Sequence, residues 1–169
     1  MRVKLDLKDG PGVLDEVLAL VQRHEFEDDR LWFNASIVAV GAEGFRRLRA
    51  AHPGAIVQCP VDFLGPLVLA APRRARAVLQ MLAGWGISRF SVASAQDTTL
   101  SLVQALQDWG YEINLYAVPD RESFLHAVLL LSRSLTADLN FPDWNYFGPG
   151  SGERRRCQRY RTPQSTAAA

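Results

Sequence analysis

Two lysines and an aspartate alternate with apolar residues in the first strand-like stretch of the sequence, VKLDLKDG. Successive side chains of a β-strand point to opposite sides, so Lys4, Asp6 and Lys8 share one charged face. That face either meets water or contributes to a polar site inside the protein. If Asp6 lies buried between the lysines, its replacement by Asn should cost about 3–5 kcal/mol, against about 0–1 kcal/mol at a surface.

Five further strand-like stretches show the same alternation, with one apolar and one polar face. If these polar faces enclose one interior, they suit a phosphorylated or polyhydroxylated ligand. Hydrogen bonding among the polar side chains themselves is the alternative role for each of them. The polar residues on these faces are Asn34, Gln58, Ser91, Asn114, Tyr116 and Asp138.

The strand-like segments alternate with helix-like segments along almost the whole chain. The strands are predicted at VKLDL, LWFNASI, AIVQCPV, SRFSVAS, YEINLYAV and LTADLNF. The helices are predicted at PGVLDEVLALVQRHE, AEGFRRLRAAHPG, RRARAVLQMLAGWG, DTTLSLVQALQDWG and DRESFLHAVLLLSR. Asp97 or Thr98 is the expected N-cap of one helix, Asp120 and Ser123 suit the first turn of another, and DFLGPLVLAAP is expected to be a loop.

This β-α order implies a parallel sheet with right-handed crossovers, either doubly wound or closed as a barrel. Both faces of a doubly wound sheet meet helices, and burying a polar face there costs free energy. In a (β/α) barrel the second face is the lumen, where polar residues line the site. The pattern therefore favours an α/β fold of the TIM-barrel type with six of the eight βα units, over residues 1–146.

Composition excludes several classes of function. A net charge of +1, with 48% hydrophobic and 22% charged residues, argues for a globular chain without a nucleic-acid-binding surface. Cys59 and Cys157 are too few for a disulfide framework or a zinc site. The first residues lack the apolar core of a signal peptide, and no apolar run could insert stably in a membrane. A cytoplasmic location is expected, with residues 147–169 as a disordered basic and polar tail.

Several of these stretches together resemble the phospholipase C-like phosphodiesterases, which include the glycerophosphodiester phosphodiesterases. VKLDLKDG resembles a family strand with an acidic-x-Lys pattern, and NLYAVPDRESF resembles a strand end reading Trp-Thr-Val-Asn-Asp. LTADLNFPDW is similar to the closing strand, which ends in Thr-Asp-x-Pro. KLDLK and WFNAS are most similar to the menorin-like branch, whose strands read Lys-Leu-Asp-Phe-Lys and Trp-Ile-Asn-Ala-Asp. The resemblance covers about Arg2 to Trp144.

The resemblance implies an eight-stranded barrel in which this chain supplies the third to the eighth strand. It implies that Asp6 binds a divalent metal, Mg²⁺ or Ca²⁺, and that Lys8 polarises a phosphate as the catalytic lysine. Asn34, Gln58, Asn114, Tyr116 and Asp138 would then contact the substrate.

The family's acid-base histidines and its first acidic metal ligands have no counterpart here. His24, His52 and His126 lie in other contexts, so the chain alone is expected to be inactive in metal-dependent phosphodiester hydrolysis. The alternative is a non-catalytic binding or interaction module of the same fold. Open strand edges would favour self-association in either case.

Overall fold

The computed structural model describes residues 3–8 and 11–137. Six parallel strands in these residues form one sheet in the order β1-β2-β3-β4-β5-β6. The strands are β1 (Val3–Leu7), β2 (Leu31–Ala35), β3 (Ile56–Pro60), β4 (Arg89–Ala93), β5 (Glu112–Val118) and β6 (Ser134–Ala137). The strand order follows the chain order without a reversal, whereas a doubly wound sheet reverses at a switch point. The sheet is a curled half-barrel of the TIM type, as the polar strand faces predicted.

Helices connect consecutive strands and cover the outer face of the curled sheet. They are α1 (Pro11–Arg23), α2 (Ile37–Ala51), α3 (Gly65–Ala70), α4 (Pro72–Gly84), α5 (Thr99–Asp108) and α6 (Arg121–Leu129). Strand residues that point outward are fully or almost fully buried beneath them, as Phe33, Val57, Phe90 and Leu115 show. Right-handed crossovers place all these helices on one side, so the concave inner side is left for polar residues.

The register of the strands sets the polar residues of the inner face side by side. Asp6 pairs with Asn34, and Asn34 pairs with Gln58 on the next strand. Ser91 pairs with Asn114 farther along the sheet. We call the space on this concave face the lumen. The charged face of the first strand therefore points into the lumen, toward the polar faces of its neighbours.

One expectation about the connecting segments requires correction, and a second is confirmed in position but not in its hydrogen bond. The stretch from Asp62 to Ala70, expected to be a loop, forms a 3₁₀ turn (Asp62–Leu64) followed by α3. Thr98, one of the two expected N-caps, does occupy the N-cap position of α5, but its hydroxyl makes no capping hydrogen bond; Thr99 donates to Ala93 O at 2.7 Å. The residue type of Thr98 matches the N-cap preference, but its hydroxyl accepts no hydrogen bond from the backbone N–H groups of the first turn of α5.

The expected start of α6 is confirmed, whereas α2 begins at Ile37, within the stretch LWFNASI that was predicted to be a strand. Asp120 accepts a hydrogen bond from Ser123 N at 2.8 Å as the N-cap of α6. Helix α2 is interrupted at Gly41, whose φ of +62° is unfavourable for residues with a Cβ. The helix predicted from Ala42 is therefore the part of α2 that follows this interruption. The expected boundary between residues 146 and 147 lies outside the described residues, and so does the tail.

None of the helices within residues 3–8 and 11–137 combines the length and apolar character that crossing a lipid bilayer requires.

Candidate functional site

A cleft of about 320 Å³ opens at the carboxyl ends of the strands, where sites of (β/α) barrels lie. Eight of its ten lining residues have polar side chains, and the ten come from all six strands and from Lys8, which directly follows β1. The lining residues are Lys4, Asp6, Lys8, Asn34, Gln58, Pro60, Ser91, Tyr116, Ala117 and Thr136.

A chain of hydrogen bonds runs along one wall of this cleft from β1 to β3. Lys8 Nζ lies 2.9 Å from Asp6 Oδ2 in an ion pair. Asn34 Nδ2 donates to the other oxygen of Asp6, Oδ1, at 2.9 Å. Gln58 Nε2 in turn donates to Asn34 Oδ1 at 2.8 Å. Both oxygens of Asp6 thus have a donor, and both ends of the Asn34 amide are fixed in orientation.

The charges of β1 alter one another's proton affinities. Partial burial acts to raise the pKa of Asp6, but hydrogen bonds from Lys8 and Asn34 and the charges of both lysines hold it below its ordinary value. Burial lowers the pKa of Lys4, with Asp6 opposing that shift. The side chain of Asp6 is 43% exposed and that of Lys8 is 76% exposed, so their ion pair lies half in water.

The second lysine crosses the cleft to the opposite wall. Lys4 Nζ donates to Thr136 Oγ1 at 3.1 Å, and Thr136 Oγ1 donates to Asn114 Oδ1 at 3.3 Å. Ser134 Oγ also donates to Asn114 Oδ1, at 2.8 Å. Lys4 Nζ stands 4.8 Å from the centre of the Trp32 ring, within cation–π range. The ammonium group is therefore held between β6 and an aromatic face.

A tyrosine at the end of β5 forms the rim of the cleft. Tyr116 Oη donates to Asp62 Oδ2 at 2.6 Å, and Asp62 Oδ1 accepts from Ala93 N at 2.6 Å. Burial, the hydrogen bond to Asp62 and the negative charge of Asp62 raise the pKa of Tyr116, so the phenol stays protonated. Ala117, the next residue, has a φ of +53° at an irregularity between β5 and β6, which turns the strand end away from regular pairing.

Two buried amides have one atom each without a hydrogen-bond partner in the described part of the chain. They are Gln58 Oε1, an acceptor, and Asn114 Nδ2, a donor. Both residues are almost completely buried on the inner face. A buried polar atom left unpaired costs free energy, so each amide lacks part of the hydrogen bonding that its burial requires.

Most of the residues predicted for the site converge on this cleft. Asp6, Lys8, Asn34, Gln58 and Tyr116 all line it, while their roles in catalysis, metal binding or substrate binding stay predictions. Asn114 is fully buried and reaches the cleft through the hydroxyl of Thr136. Asp138 lies outside the described residues.

The predicted set omits three residues that shape the cleft. Lys4 and Thr136 lie on polar strand faces that the alternation in the sequence had already indicated. The same period-two pattern could therefore have predicted them as site residues. Asp62 holds Tyr116 from a segment expected to be a loop. Asp62 directly follows the predicted strand AIVQCPV, at a strand end where functional residues of barrels collect, and this position was the signal that could have identified it.

The described cleft does not fit a divalent metal. Asp6 is its single carboxylate, and both Asp6 oxygens already accept from Lys8 and Asn34. No group of three or more His, Cys, Asp or Glu side chains in residues 3–8 and 11–137 is placed to hold a metal ion. The ammonium groups of Lys4 and Lys8 would repel a divalent cation there and attract an oxyanion instead.

All three histidines of the chain lie away from the cleft. His52 Nδ1 lies 2.8 Å from Asp28 Oδ1 near the end of α2. The His24 ring faces that of Phe26, after the end of α1. His126 is exposed on α6. No histidine of this chain is therefore placed to exchange a proton with a ligand bound in the cleft.

Comparison of the sequence with family profiles and with curated proteins finds no match. Solved structures do resemble this fold. A candidate glycerophosphoryl diester phosphodiesterase of Agrobacterium tumefaciens strain C58 superimposes with a TM-score of 0.62 and 18% identity, over 82% of this chain and 54% of that chain. A second one, from Silicibacter pomeroyi DSS-3, gives a TM-score of 0.59 and 18% identity, over 92% and 50%. This chain spans about half the length of each, and it shares their barrel fold.

Proposed function

We propose that this chain binds the phosphoryl group of a phosphodiester in the lumen of a phosphodiesterase-type barrel and has no hydrolytic turnover alone. One observation carries the proposal: Lys4 and Lys8 converge on a single cleft at the carboxyl ends of the strands. The fold supports it, since candidate glycerophosphoryl diester phosphodiesterases are structural neighbours.

The cleft has the size and the donors that a phosphorylated small molecule requires. A volume of about 320 Å³ lies at the lower end of the range for small-molecule sites. Lys8 is 76% exposed and pairs with Asp6, whereas Lys4 donates to Thr136. Each ammonium group has three N–H donors, of which Thr136 takes one from Lys4 and Asp6 takes one from Lys8, so further donors remain for phosphoryl oxygens.

The absence of turnover follows from what the described cleft offers. By resemblance, hydrolysis in the complete fold uses a divalent metal together with an acid-base pair. Asp6 is the one carboxylate lining the described cleft, and the histidines lie elsewhere. Lys8 could stabilise charge on a phosphoryl oxygen, but a proton donor for the leaving group would have to come from a partner or from residues outside the described part.

Calorimetric titration with glycerophosphocholine, in EDTA and then with Mg²⁺, tests the binding. We expect binding in the millimolar range that Lys8→Met weakens at least tenfold and Arg73→Met leaves unchanged. Arg73 is a matched control because it is an exposed cation on α4, away from the cleft. Equal binding by wild type and Lys8→Met would contradict the proposal.

Incubation with bis(4-nitrophenyl) phosphate and Mg²⁺ or Ca²⁺ tests the lack of turnover. We expect no release of nitrophenol above the metal blank. Metal-dependent release that Asp6→Ala abolishes would show instead that Asp6 is a metal ligand of an active site.

The edge of β1 supports a second candidate function, an interaction module. Within the described residues β1 pairs with β2 alone, which leaves its other edge without a described strand partner. Such an edge is a template for pairing with another chain. Helix α6 adds exposed apolar residues, Leu125, Val128 and Leu129. A second copy of the chain could use both features to close the half-barrel.

Size-exclusion chromatography with light scattering discriminates this candidate. A dimer that dissociates on dilution would support it, and a monomer over the whole concentration range would count against it. We also propose, from KLDLK and WFNAS alone, that the barrel is of the menorin-like branch.

A further inference from the structure

Both lysines of the chain belong to the cleft. Of the 19 basic residues in the sequence, Lys4 and Lys8 are the only lysines, and arginine supplies the remainder. Both are on β1 or directly after it, and both line the cleft. A lysine ammonium is a compact charge on a flexible stem, whereas a guanidinium is planar and forms a rigid fork. The cleft thus carries cations that can reorient on flexible stems and pair with an oxyanion as point charges.

An anion already occupies the position beside one of these lysines. Asp6 Oδ2 lies 2.9 Å from Lys8 Nζ, a distance at which a phosphoryl oxygen would bind the same ammonium group. Asn34 Nδ2 donates to the second oxygen of Asp6. Asp6 therefore occupies a second donor that an oxyanion could use. Asp6 therefore satisfies, from within the chain, the donors that a bound phosphoryl group would require.

The exposure of the pair allows this carboxylate to be replaced. The Asp6 side chain is 43% exposed and the Lys8 side chain is 76% exposed. On losing Lys8, Asp6 still has the Asn34 amide and water as partners, so displacement requires no change of the backbone. A surface pair of this kind contributes little to stability, so an incoming oxyanion can offset its loss.

We propose that Asp6 is a resident counter-ion of the cleft rather than a metal ligand, and that a phosphoryl oxyanion displaces it from Lys8 without a divalent metal. The inference rests on the proposed function and deepens it. For a substitution at Asp6, this proposal and a metal site predict opposite changes in phosphate affinity. Removing the Asp6 charge should strengthen phosphate binding, because the competitor and a repelling charge disappear together.

Lysine-selective isotope labelling gives a direct test, because the labelled chain contains two lysine spin systems. Lys4→Arg and Lys8→Arg assign the two Cε signals. Inorganic phosphate is then titrated in EDTA into wild type, Asp6→Asn and Asp15→Asn. Asp15 is an exposed acid on α1 that pairs with Arg47, so its replacement removes an equal charge at a distance from the cleft.

We expect phosphate to shift the Lys8 signal in wild type without metal. We expect a dissociation constant about fivefold lower in Asp6→Asn, the factor that one Coulomb contact in water represents, and no change in Asp15→Asn. Asp6→Ser serves as a second variant that also removes the charge. Failure of both Asp6 variants to fold would show a structural ion pair and overturn the inference.

Two results would overturn the inference while leaving the proposed function intact. One is glycerophosphocholine binding by wild type with phosphate affinity unchanged or weaker in the Asp6 variants. The other is phosphate binding that requires Mg²⁺ or Ca²⁺ and that Asp6→Asn abolishes. Conversely, phosphate binding in Asp6→Asn with no glycerophosphocholine binding in wild type would uphold the counter-ion and contradict the proposed function.

Discussion

Lys4 Nζ lies 3.1 Å from Thr136 Oγ1, so side chains of the first and last described strands meet across the concave face of the sheet. Five strand spacings separate β1 from β6, and a flat sheet would place them about 24 Å apart. No side chain spans that distance, so the contact requires the sheet to curl around a lumen. The same lysine thus lines the cleft and links its two walls.

Replacement of Thr136 by Val should weaken this link. The change removes the acceptor of Lys4 and a donor to Asn114, while Ser134 continues to donate to Asn114. A net hydrogen bond is worth about 0.5–1.5 kcal/mol, so we expect the free energy of unfolding to fall by about 1 kcal/mol. Urea denaturation measures it. Thr136→Ser keeps the hydroxyl and is the control; equal losses in both variants would contradict the role of the hydroxyl.

The replacement Glu112→Gln should destabilise the protein more strongly. Arg89 is buried on the inner face, with 5% of its side chain exposed, and its Nη2 lies 2.6 Å from Glu112 Oε2. The guanidinium also stands 5.1 Å from the Trp32 ring. Loss of the carboxylate leaves a buried cation without a counter-charge, which costs about 3–5 kcal/mol for a fully buried pair. Since Glu112 is half exposed, we expect about 2 kcal/mol.

Arg133→Gln provides the matched control for that change. Arg133 Nε lies 3.7 Å from the other oxygen of Glu112, and its side chain is 69% exposed. A surface pair of this kind contributes about 0–1 kcal/mol. Denaturant melts that give equal losses for both variants would mean that the burial of Arg89 does not govern the energy of the pair.

The strand faces were predictable from sequence because alternation is a local signal. In β2, Leu31, Phe33 and Ala35 are buried under helices, whereas Trp32 and Asn34 face the lumen. A period of two needs no long-range information. The barrel followed from the repetition of that pattern on strand after strand, and the convergence of the site residues followed from the barrel.

Helix α3 was not predicted from the sequence, and the glycine at its start is required by a distant residue. Gly65 begins this six-residue helix, and a Cβ there would lie 2.1 Å from the hydroxyl oxygen of Thr98. Gly65 and Pro66 read locally as a turn, and the contact that requires glycine is 33 residues away in sequence. The bond between Asp62 and Tyr116 joins residues that are likewise distant in sequence. The positive φ of Ala117 has no signal in its residue type.

Asp28 is expected to make the free energy of unfolding fall as the pH is lowered into the acid range. Its carboxylate accepts from Gly54 N at 3.0 Å and lies 2.8 Å from His52 Nδ1. The Gly54 bond, followed by the bond and charge of His52, holds the pKa of Asp28 below its ordinary value of 3.8 against the effect of partial burial. Because the folded state binds this proton less tightly than the unfolded chain, the stabilisation is present above the ordinary value and is lost as pH falls through the lowered one.

Asp28→Asn should therefore remove part of the acid-induced loss. We expect wild type to exceed the variant in unfolding free energy by about 1 kcal/mol or less at neutral pH, since water partly screens the pair. The two should converge as the pH falls through the lowered pKa of Asp28. Asp97→Asn, at an exposed acid before α5, is the control. A constant difference between wild type and Asp28→Asn at all pH values would contradict the titration of Asp28.

Asp6→Asn is expected to be well tolerated, in contrast with the loss that a fully buried charge would give. The lumen is open to water at this point, since Asp6 is 43% exposed and its partner Lys8 is 76% exposed. The amide can still accept from Asn34 through one oxygen. We expect the free energy of unfolding to fall by about 0–1 kcal/mol in denaturant melts, close to the value for Asp15→Asn. A loss above about 3 kcal/mol would mean that the Lys8–Asp6 pair stabilises the barrel wall as a buried pair does, and a ligand could not displace it readily.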